Sequence, residues 1–189
     1  DVVARAADST AATAVPTTLP PTAAALAALA AATDDTTSTD AAGTPLDVSF
    51  DNDMQINGRR YDDGSVPIAA LTAGATYTLA VSSEDSGNHP THVHSSHFGV
   101  VSSTAADDAQ QWWRGASLRA GMLRDTVPAS DAGHIALRFV PPFAGKVTLH
   151  CHVSPHADRG MLGYYDVSGD TSADGVAAAA NAAAAAITL

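Results

Sequence analysis

The chain of 189 residues has one cysteine, one lysine (Lys146) and one glutamate (Glu84), and aromatic residues make up only 5% of it. A single cysteine rules out an internal disulfide, so cysteine usage does not reveal the redox compartment. Positive charge is also scarce: nine Lys and Arg stand against 20 Asp and Glu, a formal net charge of −11. Such a surface repels nucleic acid and concentrates cations, reduced metal ions among them. Long apolar runs are missing too, since the Ala-rich stretch at 176–187 is too short and too weakly apolar for a membrane span. There is no initiating Met and no signal peptide, which fits a processed, exported chain in an extracellular or periplasmic setting.

What the chain does have is histidine, concentrated around its one thiol. His150 and His152 flank Cys151 in Val147-Thr-Leu-His-Cys-His-Val153, and His156 and Met161 lie five and ten residues beyond the cysteine. One thiolate, two imidazoles and a weak thioether suit a blue-copper centre, because soft sulfur favours Cu(I) while imidazole holds Cu(II). His89-Pro-Thr-His92-Val-His94 offers the missing imidazole. Side chains on a strand alternate between its faces, and this parity sorts the ligands. His89, Cys151, His156 and Met161 form a set able to enclose copper inside a fold. His92, His94, His150 and His152 share the opposite face and look like half of another metal site. A buried free thiol is the plain alternative for Cys151, but its neighbours stand at ligand spacing.

These residues resemble the C-terminal cupredoxin domain of multicopper oxidases, the laccase and metallo-oxidase superfamily, over roughly residues 46–168. Four motifs occur in order: Ile56-Asn-Gly-Arg59 with Tyr61-Asp62, His89-Pro-Thr-His-Val-His94 through Phe98, Arg124-Asp-Thr-Val-Pro128 with Ile135-Ala-Leu-Arg-Phe139, and His150-Cys-His-Val-Ser-Pro-His156 to Gly160-Met161. The resemblance implies type 1 copper at His89, Cys151, His156 and Met161. It implies type 2 copper at His92 and type 3 copper at His94, His150 and His152, in a cluster that reduces dioxygen. His150, Cys151 and His152 become the catalytic link between substrate oxidation and oxygen reduction. In the family four further histidines come from an N-terminal domain, and none precedes Leu46 in this sequence. A homo-oligomer, such as a two-fold dimer, or a second cupredoxin chain is therefore expected to supply them.

Composition divides the chain into a low-complexity arm (1–45), a cupredoxin domain (46–168) and an Ala-rich tail (169–189). The arm is Ala, Thr, Pro and Asp without an aromatic residue, so it cannot bury a core by itself and is expected to lie against another surface. Helices are expected at 22–32 and 105–113. Strands are expected at 47–50, 54–57, 76–81, 92–101, 134–140, 146–153 and 162–167, bounded by Gly, Pro and Asp. The fold class is all-β, a cupredoxin-like Greek-key β-sandwich. His97, His134, Trp112 and Trp113 are expected to be structural or solvent-facing, and Asp158 a solvated loop charge. Two functions fit. One is an oxidase passing electrons from a metal ion or phenol-like reductant to dioxygen, and the other is a type 1 copper electron-transfer or structural module of an extracellular assembly.

Overall fold

The computed structural model describes residues 38–39, 45–62, 66–85, 89–103, 118, 120–129, 134–172, 174, 175, 177, 178 and 181. Along them run β1 (Asp47–Phe50), β2 (Ala70–Thr72), β3 (Tyr77–Ser83), β4 (His89–Val93), β5 (Phe98–Ser103), β6 (Leu123–Arg124), β7 (Thr126–Ala129), β8 (Ile135–Phe139), β9 (Gly145–Cys151), a short helix α1 (Ser154–Ala157) and β10 (Leu162–Ser168). One sheet has the order β1-β3-β8-β5-β6 and the other β2-β10-β9-β4-β7. β1 lies parallel to β3 and β2 parallel to β10, while the other pairs are antiparallel. The chain crosses between the sheets at every step except β5 to β6 and β9 to β10, giving a Greek-key sandwich.

Alternating side chains explain why the two sheets stack. In β4, His89, Thr91 and Val93 are buried while Pro90 and His92 are half-buried. β9 repeats the pattern, with Val147, Leu149 and Cys151 turned inward. Three of the four phenylalanines, Phe50, Phe98 and Phe139, are buried between the sheets with Leu79, Leu137, Leu149 and Tyr165. Each such side chain contributes about 2 kcal/mol by leaving water, which is how a chain poor in aromatics still fills a core. Tyr165 carries one cost: its buried hydroxyl has no hydrogen-bond partner among the described residues, and burial raises its ionisation far above the usual tyrosine range. At the rim, Pro90 of β4 sits opposite Pro128 of the edge strand β7.

Several expected elements differ in extent. The strand expected at 92–101 is two strands in different sheets, because Ser95 takes φ +62° and turns the chain between them. At 54–57 there are only isolated bridges from Ile56 to Phe50 and Arg59, since Met54 and Asn57 also have positive φ. The strand expected at 146–153 stops at Cys151, where α1 begins three residues later with Pro155 in its first turn. The helices expected at 22–32 and 105–113, and Trp112 and Trp113, lie outside the described residues. In the tail, Asp174, Gly175, Ala177, Ala178 and Asn181 are helical. No helix among the described residues is long and apolar enough to cross a membrane.

Candidate metal centre

The start of β4 and the end of β9 lie side by side, with Thr91 opposite Cys151. That register brings His89 to the cysteine from the neighbouring strand. α1 then folds the chain back: His156 N–H donates to Val153 O at 2.8 Å, Met161 N–H donates to His156 O at 3.1 Å, and Cys151 N–H donates to Met161 O at 3.1 Å. Gly160 makes the turn possible. Its φ is +112°, and a Cβ there would fall 2.9 Å from Arg60 Cβ.

The result is an inner cluster of His89, Cys151 and His156, whose ligand atoms lie within 4.8 Å of one another. Cys151 Sγ is 3.8 Å from His89 Nδ1 and 3.6 Å from His156 Nδ1. Two ligands held by one first-row ion at ordinary thiolate and imidazole bond lengths, with angles between tetrahedral and trigonal, stand about 3.6–3.8 Å apart. The residues therefore fit a metal ion. Met161 is fully buried beside them, its backbone fixed to Cys151 and His156. Burial pushes the Cys151 thiol up and the Val153 N–H, 3.4 Å from the sulfur, pulls it down. Burial also lowers His156, followed by the charges of His89 and Arg159, against an opposing effect of Asp85. Both groups thus favour the neutral state until a metal replaces the thiol proton.

One residue escaped the sequence reading. The buried Asp85 carboxylate is 3.0 and 3.2 Å from His89 Nε2. It fixes the ring so that Nδ1 faces the sulfur, the carboxylate–histidine arrangement common behind metal ligands. Phe50 stacks on the same ring, with centroids 5.7 Å apart. The available signal was an acid four positions before the first histidine of the motif.

On the outer face, His92, His94 and His150 form a second cluster within 4.8 Å. His94 Nε2 and His150 Nε2 are 2.9 Å apart, and burial followed by the neighbouring histidines lowers His94. His92 Nδ1 donates to Asp125 O at 2.8 Å and His150 Nδ1 donates to Cys151 O at 2.7 Å, so the backbone engages Nδ1 and not Nε2 of each ring. His152 stands beside them, its ring 5.4 Å from that of His92 and 5.7 Å from that of His150. His97 is exposed, and neither it nor His134 belongs to either cluster among the described residues. Asp158 is exposed after α1.

The chain is 30% identical over 104 residues to an iron transport multicopper oxidase of Saccharomyces cerevisiae, which covers 46% of this chain and 17% of that protein. It is 31% identical over 98 residues to Laccase-1 of Botryotinia fuckeliana, covering 51% and 17%. Among solved structures, a metallo-oxidase from Campylobacter jejuni superposes with a TM-score of 0.53 at 24% identity, over 64% of this chain and 29% of that one. A laccase from Pediococcus acidilactici gives 0.56 at 17%, over 71% and 28%. These structures establish a cupredoxin fold, and the chain spans less than a third of the length of each of these four proteins. The multicopper oxidase sequence model matches residues 20–170, a stretch that includes every histidine of both clusters, and by that match the chain belongs to the multicopper oxidase family.

Proposed function

We propose that this chain is the electron-accepting half of a copper-dependent oxidase whose oxygen-reducing site is completed by a second cupredoxin unit. His89, Cys151, His156 and Met161 would hold type 1 copper. His92 would hold type 2 copper, and His94, His150 and His152 type 3 copper. When bound, copper supplies one-electron acceptance at the inner site and reduction of dioxygen at the outer one. The residues supply the rest. Asp85 and Phe50 hold the His89 ring, and α1 carries His156 toward the side where a reductant arrives. Cys151 is joined by one peptide bond to each of His150 and His152, and its carbonyl also accepts from His150 Nδ1, so a short covalent and hydrogen-bonded route connects the two faces.

The observation that carries this reading is the outer quartet of histidines on the strands that hold the inner site. An electron-transfer module has no use for them. The complementary histidines would come from a second copy across a two-fold axis, or from another cupredoxin unit. The reading includes export to an extracellular or periplasmic compartment. Copper content with its spectroscopic types tests it: a two-fold dimer is expected to hold about five coppers, two inner and three between the faces, and to consume dioxygen. About two per dimer, all type 1, supports the alternative, a type 1 copper electron-transfer or structural module. The exposure of His94 and His152 without a counterpart in the described residues is what keeps that second reading alive.

A further inference from the structure

Asn57 and Gly58 turn the chain between Ile56 and Arg59, which exchange hydrogen bonds: Ile56 N–H donates to Arg59 O at 2.8 Å and Arg59 N–H donates to Ile56 O at 3.1 Å. Both central residues have positive φ, +52° and +70°, the type I′ arrangement that an Asn-Gly pair favours. The turn does more than reverse the chain. β1 is an edge strand, paired with β3 on one side, and Asn57 occupies its other side. Asn57 N–H donates to Ser49 O at 2.9 Å, its Nδ2 donates to Asp47 O at 2.8 Å, and its Oδ1 accepts from Ser49 N–H at 2.8 Å. One side-chain amide thus stands in for a neighbouring peptide group and closes an edge that would otherwise be open to pairing. What it closes bears on the inner cluster. Phe50, the last residue of β1, stacks on His89, and its carbonyl accepts from Glu84 N–H at 2.8 Å. Ser49 Oγ donates to Glu84 Oε1 at 3.0 Å, and the next residue is Asp85, whose carboxylate holds the His89 ring.

We propose that Asn57 is a site of spontaneous deamidation, and that its conversion releases the edge of β1 and loosens the inner metal centre. Of the four asparagines in the chain it is the one followed by glycine, and it is exposed to water. Gly58 carries no side chain to keep its nitrogen from the neighbouring carboxamide. The Gly58 nitrogen bonds to Asn57 Cγ and gives up its proton, the Cγ–Nδ2 bond breaks, and ammonia leaves with that proton, closing a succinimide ring. Water then opens one of the two ring carbonyls, and position 57 becomes aspartate or isoaspartate. In the folded chain both amide atoms are committed to β1, so the carboxamide is held off the Gly58 nitrogen and the reaction waits for the turn to open. Each product is a poor latch. Aspartate puts an acceptor oxygen where Nδ2 stood, against the acceptor Asp47 O, and isoaspartate adds a methylene to the backbone of a two-residue turn that fixes its register. The latch stands on its own geometry, and its bearing on copper rests on the proposed function.

The test ages the metal-free full chain in warm, mildly alkaline buffer and maps it by peptide mass spectrometry. Amide hydrogen exchange follows β1, and Co(II) titration, read by the thiolate charge-transfer band, follows the inner cluster. Conversion is expected at Asn57 ahead of the other asparagines, and faster in sub-denaturing urea, which opens the turn. In the converted chain and in Asn57→Asp, the Ser49 amide should exchange about tenfold faster, the factor expected when one hydrogen bond is lost and its acceptor is left unpaired. Co(II) should bind about threefold more weakly, less than the roughly 10- to 100-fold cost of removing a partner of a metal ligand outright. Asn57→Gln, whose longer side chain closes the corresponding ring far more slowly, should not change with age. Conversion at Asn57 no faster than at other asparagines, a rate that urea leaves unchanged, or a converted chain whose β1 exchanges like the fresh one would overturn the proposal. A fresh chain without the Co(II) band, but with faster β1 exchange after conversion, would remove the inner site of the proposed function and leave the latch. Co(II) uptake with unaltered exchange after conversion would do the reverse.

Discussion

The inner and outer histidine clusters lie on opposite faces of the same two strands, yet one is closed and the other open. Inside, His89 is buried, clamped by Asp85 and stacked on Phe50, and Cys151 is sealed within the hydrophobic core. Outside, the rings are exposed or half-buried, held by the carbonyls of Asp125 and Cys151, by the Thr126 hydroxyl and by one another. A site on the inner face of a sandwich can be completed by loops of its own chain. A site on the outer face is completed only by what docks there. On the proposed function one strand would carry a self-sufficient centre and an unfinished one, and the period of two residues along β9 is what separates the two clusters.

The strongest way to break this comparison is to remove the sulfur. Cys151→Ser is expected to abolish the intense visible absorption of the copper-loaded protein completely, with a far-UV circular dichroism spectrum like that of the unaltered chain. A colourless unaltered protein loaded with copper would end the reading of the inner site. His152→Ala should act on the other face, taking dioxygen consumption to background while the visible band persists. Loss of the band in that variant would mean that the two clusters are not separable. Asp85→Asn sharpens the comparison by touching the inner site without removing a ligand. Copper affinity there is expected to fall by about 10- to 100-fold, with the outer site unchanged in competition titrations. The smallest effect belongs to Met161→Leu, which should leave the band in place and raise the reduction potential measured by redox titration, because losing a weak donor disfavours Cu(II). An unchanged potential would place Met161 in the core and not at the metal.

Much of the inner and outer grouping is legible in the amino-acid sequence. The segregation of His89 and Cys151 from His92, His94, His150 and His152 is a consequence of strand parity, and the burial of β4 and β9 follows it residue by residue. Asp85 shows there only as an acid four positions before His89, because alternation does not encode which residue beyond the end of β3 meets the start of β4. α1 is four residues long and too short to show a helical period. The break at Ser95 needs a positive φ at a residue type that rarely adopts one. β2 and β6, three and two residues long, are strands only because longer neighbours recruit them.

The paired prolines at the rim bear on how such a chain survives at high concentration. Pro90 and Pro128 face each other where neither can donate, so the amide position of Pro128 points away from β4, toward the open side of β7. An incoming strand would find a donor missing in the middle of a four-residue edge. Extension of this sheet by strand addition, the route to runaway polymers, is blocked at the margin nearest the histidines. Molecules can still meet there, but face to face.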